Sequence, residues 1–431
     1  MPGQSAGRPA PPAGRHLPPP GGFTPPRGGV KRTPGDLALL GGPPAFPHPL
    51  TVGRPNPVDR TRLFQRLTWA LDNQWHSNGG PLSLEFEARV ADLAGTRHAV
   101  ATCNATSALQ LLFRALDLSG EIIMPSLTFA ATAHAAQWLG LTPVFVDTDP
   151  RTGLIDPRLA RAAITPDTAA VVGVHLWGRP CDARALEKTA ADHGLPLLLD
   201  AAHALGCTLD GTPVGGFGAA EVFSFHATKI VGAFEGGAVV TDDEDLARRV
   251  RALANFGKGL EHVSAAGGTN AKMSEAAAAM GLTSLDALPR HIADNHDRHR
   301  VYREELDGVP GITLLPFDPA ERHNHQYVVI DIDPERTGIG RDLLLDLLRA
   351  ENALVLPPIG APPCHLLEPY RSTRPVSLPH TEALTARVLS LPTGPTAAPE
   401  GIRRLCEIVR FAVAHGAELT RRCRTPRTES R

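Results

Sequence analysis

The run "LPLLLDAAHALG", residues 195–206, is apolar through Leu199, ends on a carboxylate at Asp200 and passes at once into small residues. A strand that is apolar at every position, rather than at alternate ones, is buried on both faces, as happens in parallel sheets covered by helices. The same pattern recurs upstream in "AAVVGVHLWG" (169–178), "TPVFVD" (142–147), "EIIMP" (121–125) and "HAVATC" (98–103). Helical stretches lie between them. "FAATAHAAQWLG" (129–140) is one, and the segment opened by "NATSAL" places Leu109, Leu112, Phe113 and Leu116 on a single helical face. Downstream, "AEVFSF" (220–225) and "GGAVVT" (236–241) are joined by too little chain for a helical crossover, so that pair includes an antiparallel strand. Beyond residue 270 helices flank a few strands, notably "NHQYVVIDI" (324–332). These patterns predict an α/β large domain over residues 35–269 and a smaller α+β domain over 270–419. The Pro/Gly-rich segment 1–34 and the basic tail 420–431 are expected to be disordered, having too little apolar surface to offset the entropy of ordering.

Composition removes several classes of function. The 431 residues include 43 basic and 45 acidic ones, a balance that leaves no electrostatic footprint for nucleic acid. No apolar run is long enough to span a bilayer and the N-terminus lacks the apolar core of a signal peptide, which predicts a cytoplasmic protein. Six scattered cysteines form no C-x-x-C pair, which favours reduced thiols over a disulfide framework and predicts no metal site. No G-x-G-x-x-G follows an expected strand, which argues against a nicotinamide cofactor.

Parallel sheets bind ligands at the carboxyl ends of their strands, so the polar residues there are the candidates. After the strand of "HAVATC", the helix start at Ala105 and Thr106 offers amides, with the Thr106 and Ser107 hydroxyls, to a phosphate; taken alone, an ordinary N-cap is the better explanation. Asp200 at the end of its strand needs a partner, because an isolated buried charge is costly. A protonated pyridine nitrogen is one such partner. His203 follows three residues later and is a candidate donor to a cofactor oxygen, although taken alone such a residue is more often a packed helix histidine. Lys229 lies between two apolar strands, flanked by Thr228 and Ile230 rather than by acids. Desolvation there lowers a lysine's pKa and makes it a better imine-forming nucleophile and proton carrier. Ser224, five residues earlier, is placed to share the phosphate with Thr106.

These residues sit in motifs that resemble the DegT/StrS-type sugar aminotransferases over roughly residues 36 to 415. The motifs are "SNGGPLSLEFE", "CNATSALQLL", "PSLTFAATAHA", "GVHLWGRPCD", "DAAHALG", "FSFHATK", "EGGAVVT" and "GGTNAKMSEAAAAMG". "LALLGGPPAFPHPLTVGRPN" and "PPCHLLEPY" are similar to the subgroup that aminates TDP-4-keto-6-deoxyglucose for antibiotic amino sugars. The resemblance implies the aspartate-aminotransferase fold, pyridoxal phosphate (PLP) fold type I, with a mostly parallel seven-stranded sheet. It implies PLP as cofactor, L-glutamate as amino donor, a nucleotide-linked keto sugar as acceptor, and a homodimer with shared active sites. It makes Lys229 the Schiff-base lysine and general base and acid, and Asp200 the partner of the pyridine nitrogen. His203 falls near the phenolic oxygen, where many members have Gln. Phe129 would stack on the ring, and Ala105, Thr106 and Ser224 would hold the phosphate. Asn255, in "ANFGKG", would reach the phosphate of the neighbouring subunit's cofactor. Asn78, His325 and Tyr327 are the candidate substrate contacts.

Two departures from the family pattern stand out. Ala105 occupies a position where many members have Gly, and a methyl is tolerated there if φ is negative. "LVLPPIGAPPCH" has Pro357 and Ile359 where an Arg-x-Tyr-like segment is common. Related sugar dehydratases carry His at the lysine position, which Lys229 argues against. A 3-keto sugar acceptor and a non-catalytic sugar-nucleotide-binding regulator remain the alternatives.

Overall fold

The computed structural model describes residues 30–259, 267–358 and 362–424. Seven strands form the central sheet: β1 (His98–Thr102), β2 (Glu121–Pro125), β3 (Thr142–Val146), β4 (Thr168–Val174), β5 (Leu197–Asp200), β6 (Ala220–Ser224) and β7 (Gly237–Thr241). Their order is β1-β7-β6-β5-β4-β2-β3, parallel throughout except for β7, which runs antiparallel to both neighbours. The expected class is therefore borne out, including the reversed strand after Ser224. Ile122, Ile123, Val171, Val172, Leu198 and Leu199 are fully buried, because helices cover both faces of the sheet.

A smaller three-stranded antiparallel sheet, β8 (Ile312–Leu314), β9 (Val328–Ile332) and β10 (Val388–Leu391), anchors the C-terminal part. Its core draws in Leu37, Ala45, Phe46 and Leu50, and Leu50–Thr51 pairs with Ala353–Leu354. The opening segment thus packs on the small domain and not on the large one that follows it in sequence. Conversely, the helix Glu275–Asp286 buries Ala278, Ala279, Leu282 and Leu285 with Phe86 and Phe223 of the large domain. Both differences from the expected boundaries have one cause: short apolar segments do not declare which core they join.

The ends are also better ordered than composition suggests. Lys31 is buried and pairs with Glu351 at 2.9 Å, so order begins before residue 35. At the other end the helix Gly416–Arg424 continues past residue 420, held by Thr420 donating to the Gly338 carbonyl (2.7 Å) and by a Glu418–Arg422 pair. Residues 1–29 and 425–431, and Ile359, lie outside the described residues. Among the described residues no helix is long and apolar enough to cross a membrane, and no cluster of His, Cys, Asp and Glu could hold a metal.

Candidate active site

Strand register places the candidate groups. Gly237 stands opposite both Thr102 and Ser224, so the ends of β1 and β6 lie level across the reversed strand β7. Asp200 stands opposite Val222 on the next strand, and Val174 opposite Asp200 on the one beyond. A single edge of the sheet therefore carries the start of the helix Ala105–Ala115, Ser224, the Lys229 turn, and Asp200 with His203.

At the first of these, Asn104 caps the helix by accepting the Ser107 N–H (2.8 Å), and Ala105 and Thr106 open its first turn. Ala105 is absent from the residues with positive φ, so its methyl is accommodated. The cradle depends on a glycine elsewhere. A Cβ on Gly237 would lie 2.5 Å from the Ala105 nitrogen, a distance no side chain permits.

Asp200 is 7% exposed. Its Oδ2 accepts from Thr132 Oγ1 at 2.7 Å and its Oδ1 from the Ala202 N–H at 3.1 Å, while Thr128 Oγ1 sits 2.8 Å from Thr132 Oγ1. A carboxylate can accept more than two bonds, so capacity remains for a ligand N–H. Thr132 lies one turn along the helix Ala130–Trp138 from Phe129, the N-cap residue, which is 60% exposed.

His203 Nδ1 accepts the Trp177 backbone N–H at 3.2 Å, which leaves the ring proton on Nε2. Burial, and secondarily the charge of Lys229, hold its pKa well below the ordinary range, so it stays a neutral donor. Trp177 adopts φ 59°, a left-handed conformation rare for a bulky residue and held here by the surrounding packing. The His203 ring rests 4.5 Å from that of Tyr327, whose hydroxyl accepts from Lys229 Nζ at 3.3 Å.

The structure thus brings Lys229, Asp200, His203, Ser224 and Tyr327 to one edge, with Ala105, Thr106 and Phe129 beside them. It does not bring in the other candidates. Asn255 and the exposed Asn78 line a cleft of about 620 Å³ with Arg248, Arg251, Lys258 and Lys272, a lining that includes neither Lys229 nor Asp200. There Asn255 Oδ1 accepts from Lys272 Nζ at 3.0 Å. His325 has φ 46° and its ring packs against His296, His299, His323 and Phe317 instead of Lys229. Burial, then its histidine neighbours, push its pKa down to about 3.

Sequence reasoning passed over Thr132, Trp177 and Gln326. Gln326 lies between two singled-out residues, His325 and Tyr327, and its side chain grips the Lys229 turn. Thr132 could have been found from its helical spacing of three from Phe129.

Comparison with known proteins agrees with this geometry. The model of the DegT/DnrJ/EryC1/StrS aminotransferase family matches residues 57–410. The chain belongs to this family. It is 35% identical over 308 residues to the dTDP-4-amino-4,6-dideoxy-D-glucose transaminase of Escherichia coli, covering 71% of this chain and 82% of that one. The crystal structure of DesI in the presence of its TDP-sugar product superposes with a TM-score of 0.89 at 61% identity, covering 91% of this chain and 100% of that one. The PLP form of the sugar aminotransferase Spr1654 from Streptococcus pneumoniae, 23% identical, shares the fold with a TM-score of 0.76, covering 88% of this chain and 100% of that one.

Aminotransferases of this family depend on PLP, and the donor set here suits it. A buried carboxylate, a primary amine, a neutral imidazole N–H and a helix start with hydroxyls flanking it match a pyridine nitrogen, an aldehyde, a phenolic oxygen and a phosphate in turn.

Proposed function

We propose that this aminotransferase, acting in the cytoplasm, transfers the amino group of L-glutamate to C4 of TDP-4-keto-6-deoxy-D-glucose. The products are TDP-4-amino-4,6-dideoxy-D-glucose and 2-oxoglutarate, and the amino sugar feeds assembly of a secondary metabolite. The observation that carries the reading is the placement of Asp200 and Ser224 at adjoining strand ends, with Lys229 in the turn that follows Ser224. The names of the E. coli relative and of DesI supply the sugar class.

When bound, PLP supplies an electron sink for the carbon that loses its proton. Lys229 would hold the cofactor and, when free, would take that proton as base and return it as acid. Asp200, oriented by Thr132 and the Ala202 amide, would keep the ring nitrogen protonated. His203 would offer its Nε2–H to the phenolic oxygen. Phe129, which is exposed, would cover the ring. The Ala105 and Thr106 amides with Ser224 Oγ would hold the phosphate.

Choice of ketone is the first test. C3 and C4 differ by about one bond length in distance from the anchored diphosphate, so site shape selects between them. TDP-4-keto-6-deoxyglucose and TDP-3-keto-6-deoxyglucose are supplied separately with glutamate, and NMR locates the new C–N bond. Amination at C4 is expected. Efficient amination of the 3-keto sugar with the 4-keto sugar ignored would refute the assignment.

The working unit in this reading is a homodimer in which Asn255 reaches the partner's phosphate. Support comes from the cleft that holds Asn255, whose lining includes none of Lys229, Asp200, His203 or Ser224, and from the exposed side chains of Phe64, Trp69, Trp75, Phe234 and Phe256, large apolar groups that suit a second copy. Mixing Lys229→Ala with Asn255→Ala, both expected to be inactive alone, tests it. With free subunit exchange, half the dimers are mixed and each has one site free of both defects, so activity should return to about a quarter of the unmodified level. No recovery after confirmed exchange would overturn the shared site.

A further inference from the structure

The segment Asn324–Tyr327, which leads into β9 of the small domain, reaches the site through three of its four residues. Asn324 Nδ2 donates to the His203 and Leu205 carbonyls at 2.8 and 3.1 Å. Gln326 Nε2 donates to the Thr228 carbonyl at 2.6 Å, and its Oε1 accepts the Ile230 N–H at 2.9 Å. Tyr327 then meets Lys229 Nζ itself. The Thr228 carbonyl and the Ile230 N–H belong to the two peptide units on either side of the Lys229 α-carbon. One carboxamide therefore fixes both peptide planes from which the lysine side chain springs.

Gln326 is itself immobilised. It is 7% exposed, its N–H donates to Asn324 Oδ1 (3.1 Å), and its carbonyl accepts from Thr393 Oγ1 (2.8 Å). A lysine with four rotatable side-chain bonds has to bring Nζ to two targets in turn, the cofactor aldehyde and the substrate carbon. Where it can reach is set by the backbone at its root, and an error of about 1 Å in such placement costs about 10²-fold in rate.

We infer that Gln326 is a positioning residue that holds the backbone of Lys229 for both cofactor attachment and proton transfer. The inference rests on the reading of Lys229 as the attachment lysine. In attachment, the neutral amine adds to the aldehyde carbon and water leaves as the carbon–nitrogen double bond forms.

The test uses the full-length protein with Gln326→Met and Gln326→Glu. Met keeps the length and removes both hydrogen bonds. A Glu side chain gives the same donor and acceptor pattern as Gln only when protonated, since a carboxylate accepts alone and would face the Thr228 carbonyl. Three quantities are read: the rate at which added PLP becomes attached, trapped by borohydride and mapped by mass spectrometry; the single-turnover rate with glutamate; and the KM for glutamate.

In Gln326→Met both rates should fall by roughly 10- to 100-fold, with KM nearly unchanged. In Gln326→Glu the single-turnover rate, divided by that of the unmodified enzyme at the same pH, should rise as pH falls toward the carboxyl pKa. A side chain that only filled space would give no such recovery. Unchanged rates in Gln326→Met, or a ratio flat with pH in Gln326→Glu, would overturn the inference. If Gln326→Met does not fold, the Glu series decides alone. Trapping at a residue other than Lys229 in the unmodified enzyme would overturn the attachment role, and the inference with it. Trapping at Lys229 with unaltered rates overturns the inference only.

Discussion

Lys229→Ala loses transamination while keeping its fold. Loss of a positioned proton carrier alone removes roughly 10²–10⁴-fold in rate, and loss of covalent attachment adds to it. The fold survives because Lys229 is only half-buried in a turn held mostly by backbone bonds and by Gln326, with its ammonium bonded to the Tyr327 hydroxyl. Removing its charge also lifts one of the two influences that depress His203, whose pKa should move upward even though burial continues to hold it low. Lys229→Arg should not rescue, because a guanidinium keeps its proton and forms no imine. The checks are a coupled glutamate assay, circular dichroism and an NMR titration of His203. Full turnover by Lys229→Ala would end the central reading.

Asp200→Asn separates binding from rate. Asparagine fits the same space and its oxygen can still accept from Thr132 or the Ala202 amide, so PLP should be retained. A neutral amide cannot hold a proton on the pyridine nitrogen, and a group turned nitrogen-first would present donor to donor. The expected fall in single-turnover rate is roughly 10²–10³-fold, the usual cost of removing one preorganised partner of a developing charge. Cofactor content is measured alongside, by release in base and absorbance. A variant that turned over as fast as the unmodified enzyme would remove Asp200 from its role.

The large sheet was legible in the sequence because its strands are apolar on both faces, a pattern that survives without knowledge of neighbours. The reversal at β7 was legible because the chain between Ser224 and Gly237 is too short to cross over. What composition could not reveal was partnership: Leu37 and Phe46 read as apolar residues of the large domain, yet they share a core with Val328 and Ile330 of the small one. The site divides in the same way. Asp200 and Lys229 stand out as polar breaks at the ends of apolar runs. Gln326 and Thr132 do not, because they act on backbone atoms and a carboxylate brought near only by folding. His325 misled by adjacency. A left-handed backbone turns its ring into a histidine cluster while Tyr327, two residues on, meets the lysine.

The close approach of Gly237 to Ala105 also has a meaning in time. The cradle follows β1, a strand at the sheet's edge whose neighbour is β7, made far later in the chain. Such distant pairing carries a loop-closure entropy that nearer contacts do not. During synthesis, the ribosome needs on the order of ten seconds to pass from one strand to the other. Until then the edge on which the phosphate seat depends is unpaired, and the stretch bearing Lys229 has only just been made. On the proposed assignment of the phosphate seat, a seat that needs the β1–β7 pairing forms only after the chain has been made through Thr241.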